Sequence, residues 1–225
     1  LVPHGASITP RTEIRSAYIP SEVLSGDFYD YFSVNDYLYL FVADVSGHGL
    51  PAAILVSLLK SYIHTEAAND RPLAEFMTRL NDFLFSVSLP TQFATAALFR
   101  MNAESELVYS NAAHPPFLLH RRATRETILL EQPWNLLGAM PNMPFEEHKL
   151  SVSPGDTLFV YTDGLTDRVD SAGQFYSIDR IARLLETAED ADLATVYQSI
   201  YDDVNSFSST DEFKDDIAFV VSRFH

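Results

Sequence analysis

Seven apolar residues run without interruption from Tyr37 to Ala43, and the residue that ends the run is Asp44. Such a run, lacking polar alternation, predicts a strand buried on both faces. Val45 to Gly49 is a glycine-rich turn, and a helical period opens at Leu50-Pro51, where proline suits a first turn because its missing N–H has no helical partner to lose. The stretch therefore reads as strand, tight loop and helix, with a carboxylate at the hinge.

Two later stretches repeat the design. Asp156 to Asp163 is an apolar run ending in an acid, followed by Gly164, and Asp215-Asp216 lead into Ile217 to Val221. A carboxylate at a buried strand end is costly to desolvate unless a cation meets it. If the three ends converge, the simplest cation is a hard divalent ion with oxygen ligands, Mg²⁺ or Mn²⁺. The competing explanation is structural, since aspartates routinely cap strands and turns, and spacing alone does not show convergence.

Composition narrows the function classes. The 225 residues suffice for one large domain and only weakly permit two, and 47% hydrophobic with 20% charged residues describes an ordinary soluble globular chain. A net charge of −16 argues against nucleic acid and against anionic membrane surfaces as partners. The chain has no cysteine, which excludes disulfides and thiolate catalysis and fits a reducing cytoplasm. No apolar run approaches the roughly 20 residues needed to span a bilayer. Residues 1–10 read as a linker or edge and 11–225 as one domain.

Along the chain, strands are expected at Thr12 to Ile19, Phe28 to Val34, Phe93 to Met101, Glu106 to Ala112, Phe117 to Arg121, Glu126 to Glu131, Glu146 to Val152 and Asp216 to Phe224. Asn35-Asp36 makes Phe28 to Val34 and the central run a hairpin, and simple register then brings Asp27 beside Asp44. Ser153-Pro154-Gly155-Asp156 has Pro and Gly in type II turn positions. A first helix over about Leu50 to Ala68 carries Ile54, Leu58 and Tyr62 beside Leu55, Leu59 and Ile63 as one apolar stripe. A second, Pro72 to about Val87, carries Leu73, Phe76, Met77, Leu80, Phe83, Leu84 and Val87. Two more centre on Ile181 to Leu185 and Leu193 to Val204, and Ser206 to Lys214 is a polar loop. Two antiparallel strand groups and two amphipathic helix pairs make the class α+β, a four-layer αββα sandwich of two mainly antiparallel sheets flanked by helix pairs.

Six motifs then fall in order: Gly26-Asp27-Phe28-Tyr29-Asp30, Ala43-Asp44-Val45-Ser46-Gly47-His48-Gly49, Asn111-Ala112-Ala113-His114-Pro115-Pro116, Pro154-Gly155-Asp156, Tyr161-Thr162-Asp163-Gly164-Leu165-Thr166 and Asp215-Asp216. Together they resemble the SpoIIE-type branch of the metal-dependent PPM (type 2C) protein phosphatases, from about Thr12 to the C-terminus. The resemblance implies a serine/threonine phosphatase with two divalent cations, Mn²⁺ or Mg²⁺. Asp44 would bridge both and the Val45 carbonyl would hold one. Asp163 and Asp215 would hold the other, and Asp27 would support the site, with Asp216 the fallback for Asp215. Ser25, Ala113, Asp167 and Ala218 depart from the family pattern without removing a ligand, but Ala113 and Ala218 put the loop geometry in question.

The implied chemistry is attack of an activated water on phosphorus between ions about 3.5 to 4 Å apart. His48 would be either the proton donor to the leaving serine oxygen or a residue that orders its loop; His114 would hold a turn rather than act in catalysis, with the catalytic role as the lesser alternative. The branch further implies a phosphorylated anti-sigma-factor antagonist as substrate and an upstream receiver or sensor domain, with self-association as a homodimer left open. The helices over Leu50 to Val87 would be switch elements. The alternatives are a catalytically weak PPM-fold module that sequesters a partner, and a two-metal phosphodiesterase.

Overall fold

The computed structural model describes residues 2–3, 6–21, 24–131, 135–188, 190–208 and 215–225. In chain order the elements are β1 (Ser7–Ile8), β2 (Thr12–Ile19), β3 (Asp27–Val34), β4 (Tyr37–Val45), α1 (Gly49–Glu66), α2 (Leu73–Val87), β5 (Ala94–Met101), β6 (Glu106–Ala112), β7 (Phe117–Arg121), β8 (Glu126–Leu130), β9 (His148–Ser151), β10 (Thr157–Tyr161), α3 (Ile178–Thr187), α4 (Leu193–Ser206) and β11 (Ile217–Phe224). They form two antiparallel sheets with four helices, the α+β class read from the sequence. Most of the polar loop expected over Ser206 to Lys214, and the start of the connection from Gln132, lie outside the described residues. Among the described residues no helix is long and apolar enough to cross a membrane.

The chain divides into two compact units, interleaved in sequence. The first, residues 1–3, 23–114 and 132–151, contains the sheet ordered β3-β4-β5-β6-β9 together with α1 and α2. Its hairpin turns at Asn35 (φ 50) and Asp36 (φ 64), the pair of left-handed residues that matches the twist of two antiparallel strands. That tight turn fixes the register from Val34↔Tyr37 at one end to Asp27↔Asp44 at the other. Strand β4 is buried from Tyr39 to Ala43, as its unbroken apolar run requires. Phe41, Ala43 and Val45 join one core with Leu55, Leu59 and Ile63 of α1 and with Phe76, Met77 and Leu80 of α2. The α1 stripe is narrower than expected. Ala52 and Val56 are buried with the Leu55 row, and Leu58 and Tyr62 pack at its margin, but Ile54 is 50% exposed. Val87, expected on the buried stripe of α2, is likewise exposed at the end of its helix.

The second unit, residues 4–22, 115–131 and 152–225, contains the sheet ordered β1-β2-β11-β10-β7-β8 with α3 and α4. Ser7–Ile8, set aside with the linker, pairs with β2. The first long strand and the last one in the chain form an eight-position ladder, Thr12↔Phe224 to Ile19↔Ile217, a pairing that no short-range signal announces. Ile181, Leu185, Val196, Ile200 and Val204 pack against Phe159, Tyr161, Phe219 and Val221. Both helices start on a side-chain cap: Ser177 accepts from Asp179 N–H and Asp192 from Thr195 N–H.

The Pro154-Gly155 turn closes as expected, with Gly155 at φ 92 and Asp156 N donating to Ser153 O at 3.0 Å. Asp156 is scaffolding. Its buried carboxylate accepts from Arg121 Nη1 at 2.9 Å, Arg122 N at 3.0 Å and Ser153 N at 3.0 Å. Replacing Asp156 with Ala removes an acceptor from three donors at a buried charge. The expected loss is about 3 kcal/mol of unfolding free energy in urea, with Asp156→Asn losing less.

Candidate metal centre

The first unit contributes Asp27, Asp44 and the Val45 carbonyl. Opposed residues of an antiparallel pair share a face, so the register puts the Asp27 and Asp44 side chains on the same side of the sheet. Asp27 is buried and Asp44 half-buried. Immediately before Asp27 the chain passes against the following loop: Val45 N donates to Gly26 O at 3.1 Å, and a Cβ on residue 26 would lie 2.2 Å from Val45 O. No side chain fits there without moving that carbonyl. Ser25, a departure from the family pattern, replaces the lost flexibility with a local bond, its Oγ accepting from Asp27 N at 3.0 Å.

The loop after Asp44 is tied down on both sides. Ser46 N donates to Phe93 O at 2.9 Å, Phe93 N returns to Ser46 Oγ at 2.9 Å, and Gly49 N donates to Leu24 O at 3.3 Å. His48 occupies the position before α1, is exposed, and does not cap the helix with its side chain. His114 holds a turn, as read from the sequence: its N–H donates to Asn111 Oδ1 at 2.8 Å, its carbonyl accepts from Asn111 Nδ2 at 3.2 Å, and its Nδ1 lies 2.9 Å from Thr95 Oγ1. Ala113 adopts φ 51. This puts an L-residue in the left-handed region that favours glycine.

The second unit contributes Asp163 and Asp215. Asp163 is not the last residue of its strand: β10 stops at Tyr161, and Asp163 opens a 3-10 turn, Asp163–Leu165. Thr162 makes the break, because its N–H and Oγ reach the Ala218 carbonyl while the Ala218 N–H donates to its Oγ at 2.9 Å. Ala218 therefore meets Thr162 through its backbone alone. Asp163 O closes the turn by accepting from Thr166 N at 2.8 Å and Asp167 N at 2.9 Å. A Cβ on Gly164 would stand 2.0 Å from Asp216 O.

Asp215 and Asp216 have different duties. The buried Asp216 carboxylate accepts from Ser21 N at 2.7 Å and Ser21 Oγ at 3.1 Å. Asp215 is exposed, and its Oδ1 accepts from Asp216 N at 2.8 Å. This division favours Asp215 over Asp216 as the ligand. Burial, then the negative charges of Asp215 and Asp167, raise the Asp163 pKa above its ordinary 3.8. Burial of its carboxyl also raises Asp215, with the charges of Asp216 and Asp167 adding to the effect and the Asp216 N–H opposing it. Asp163 is half-buried whereas Asp215 is exposed, so solvent screens Asp215 more.

Within neither unit, among the described residues, do three or more His, Cys, Asp or Glu side chains gather into a ligand set of their own. The donors present nonetheless suit a hard divalent ion. In the first unit they are the oxygens of two carboxylates and of one carbonyl, whose position a side chain at residue 26 would disturb, and in the second the oxygens of two carboxylates. Sequence reasoning missed the Ser21–Asp216 bond, which joins residues far apart in the chain. It also missed the pairing of buried Asp30 with His64 Nε2 at 2.7 Å and Lys60 Nζ at 3.1 Å. The i,i+4 spacing of Lys60 and His64 on α1 was the signal available for the second.

The sequence model of the family described as Stage II sporulation protein E (SpoIIE) matches residues 35–225. The chain belongs to the SpoIIE family. One similar relative is the phosphoserine phosphatase RsbP of Bacillus subtilis, 25% identical over 220 residues that cover 95% of this chain and 53% of RsbP. Among solved structures, the SiaA-PP2C domain of Pseudomonas aeruginosa superposes with a TM-score of 0.82 at 21% identity, covering 94% of this chain and 86% of that one. RsbX in complex with magnesium superposes with a TM-score of 0.77 at 17% identity, covering 98% and 99%. At such identities the structural likenesses establish the PP2C fold. The chain spans 32% to 63% of the length of the curated relatives it matches.

Two outcomes follow from this geometry. Ala113→Gly relieves a left-handed alanine and is expected to raise unfolding free energy by about 0.5–1 kcal/mol in urea denaturation. A carboxyl with a raised folded pKa favours the fold below about pH 4, and that contribution is lost as pH rises through the folded pKa. The metal-free Asp163→Asn variant is therefore expected to melt above the unaltered protein at pH 7, with the gap closing as pH falls toward 4.

Proposed function

We propose that this chain is a metal-dependent phosphoserine/phosphothreonine protein phosphatase. The observation that carries the reading is the Asp27↔Asp44 pairing beside a Val45 carbonyl that only glycine at position 26 tolerates, in a chain of the SpoIIE family. The names of relatives such as the phosphoserine phosphatases RsbP and RsbU support the activity. The magnesium complex of RsbX supports a divalent cation.

In this reading Asp44, the Val45 carbonyl, Asp163 and Asp215 would hold two divalent cations, Mn²⁺ or Mg²⁺, with Asp27 in support. When bound, the cations supply positive charge to the phosphoryl oxygens and acidify the attacking water. Asp44 and Asp163 orient that water against phosphorus and hold it in line with the leaving seryl or threonyl oxygen. His48, exposed on the loop that follows Asp44 and not engaged in capping α1, supplies a proton to that oxygen. No cysteine is present to form a thiol–phosphate intermediate, so a thiolate phosphatase mechanism is excluded.

The proposed physiological substrate is a phosphorylated anti-sigma-factor antagonist in the cytoplasm. An upstream receiver or sensor domain in the complete protein would control the enzyme, which agrees with a chain matching only part of its relatives' length. Hydrolysis of p-nitrophenyl phosphate and of a phosphoserine peptide with Mn²⁺ or Mg²⁺ is the test. Turnover is expected to fall by about 10²–10³-fold or more in Asp44→Ala and Asp163→Asn. A preference for diesters would overturn the monoesterase assignment. Tight binding of the phosphoprotein without turnover would favour a sequestering module instead.

A further inference from the structure

Asp216 directly follows the proposed ligand Asp215, and its Oδ1, its N–H and its carbonyl each meet a neighbouring group. Its carboxylate accepts two bonds from Ser21, at 2.7 Å from N and 3.1 Å from Oγ. Its N–H donates to Asp215 Oδ1 at 2.8 Å. Its carbonyl oxygen fills the space that a Cβ on Gly164 would occupy, 2.0 Å away, next to Asp163. Thr162 adds a second tie between the same two segments through the Ala218 backbone.

We propose that Asp216 is a positioning residue for the metal ligands, acting through Asp215 and the Asp163 turn rather than by coordination. This rests on the metal-site reading above. The physical argument is orientation. An exposed aspartate at a chain bend has several rotamers, and a main-chain N–H directed at one of its oxygens selects among them only if that peptide is itself fixed. The peptide between Asp215 and Asp216 is fixed at one end by the Ser21 bonds to the neighbouring carboxylate. With that anchor, Asp215 presents its other oxygen in a set direction, and Asp216 O stays seated on Gly164. Asp216 could not do this and also bind a cation through the same oxygen, since Oδ1 already accepts from two donors. Asparagine at 216 keeps an acceptor oxygen for Ser21 and loses only the charge; alanine loses both.

The test is calorimetric titration of Mn²⁺ into the purified chain, with thermal melting as a check on folding. Asp216→Ala is expected to weaken Mn²⁺ uptake by about 10- to 100-fold, and Asp216→Asn to restore it to within about threefold of the unaltered protein. Ser21→Ala removes one of the two bonds and is expected to cost less than Asp216→Ala. Unaltered uptake in a folded Asp216→Ala protein overturns the proposal. Equal loss in Asp216→Asn and Asp216→Ala also overturns it, because the charge at 216 would then be the ligand. Should Asp216→Ala fail to fold, full uptake in Ser21→Ala overturns it and a partial loss with rescue by Asp216→Asn supports it. Absence of Mn²⁺ uptake by the unaltered chain is a separate result, which defeats the metal-site reading itself. Loss of uptake in Asp215→Ala alone, with Asp216→Ala unaffected, leaves that reading standing and removes only this one.

Discussion

Two backbone carbonyls lie where a side chain would have to be: Val45 O against Gly26, and Asp216 O against Gly164. Each contact sits beside an acid of the proposed site, Asp27 in one unit and Asp163 in the other. A methyl group at either glycine would overlap a carbonyl oxygen well inside van der Waals contact, so the acid-bearing loops exist in this form only because residues 26 and 164 have no Cβ. The β3–β4 register delivers Asp27 opposite Asp44, and the Thr162–Ala218 exchange of hydrogen bonds ends β10 two residues before Asp163.

Electrostatics works against the same residues. Burial and neighbouring carboxylates both disfavour ionised Asp163, and burial disfavours ionised Asp215. A site that gathers like charges stores a destabilisation that a divalent ion can relieve, which is how a binding site differs from a structural ion pair. Asp30 and Asp156 show the contrast. Both are buried acids in family-like motifs, and both have basic side chains at bonding distance, Lys60 and His64 for one and Arg121 for the other.

The motifs that mark the family accordingly split by duty. Asp27, Asp44, Asp163 and Asp215 are the acids of the proposed site. Asn111 and His114 clamp a turn, Asp156 closes another, and Asp216 ties β11 to Ser21. Adjacent identical residues, Asp215 and Asp216, differ in exposure and in partners: Asp215 is exposed and accepts from Asp216 N, whereas Asp216 is buried and accepts from Ser21.

The order of strands and helices, the hairpin, the Pro154-Gly155 turn and the Asp27–Asp44 register were legible in the amino-acid sequence. Each depends on local period or on a turn of two residues, and local patterns carry that information. The same is true of the oxygen character of the proposed ligands, since side-chain chemistry is written directly in the residue types. Only the tertiary structure decided that β2 pairs with β11 and that Ser21 bonds to Asp216. It also revealed that Asp30 faces α1, that Ile54 is exposed, and that Asp156 belongs to the scaffold. These depend on which distant segments meet, and the free energy that selects them comes from burial and hydrogen bonding between residues with no relation in sequence spacing.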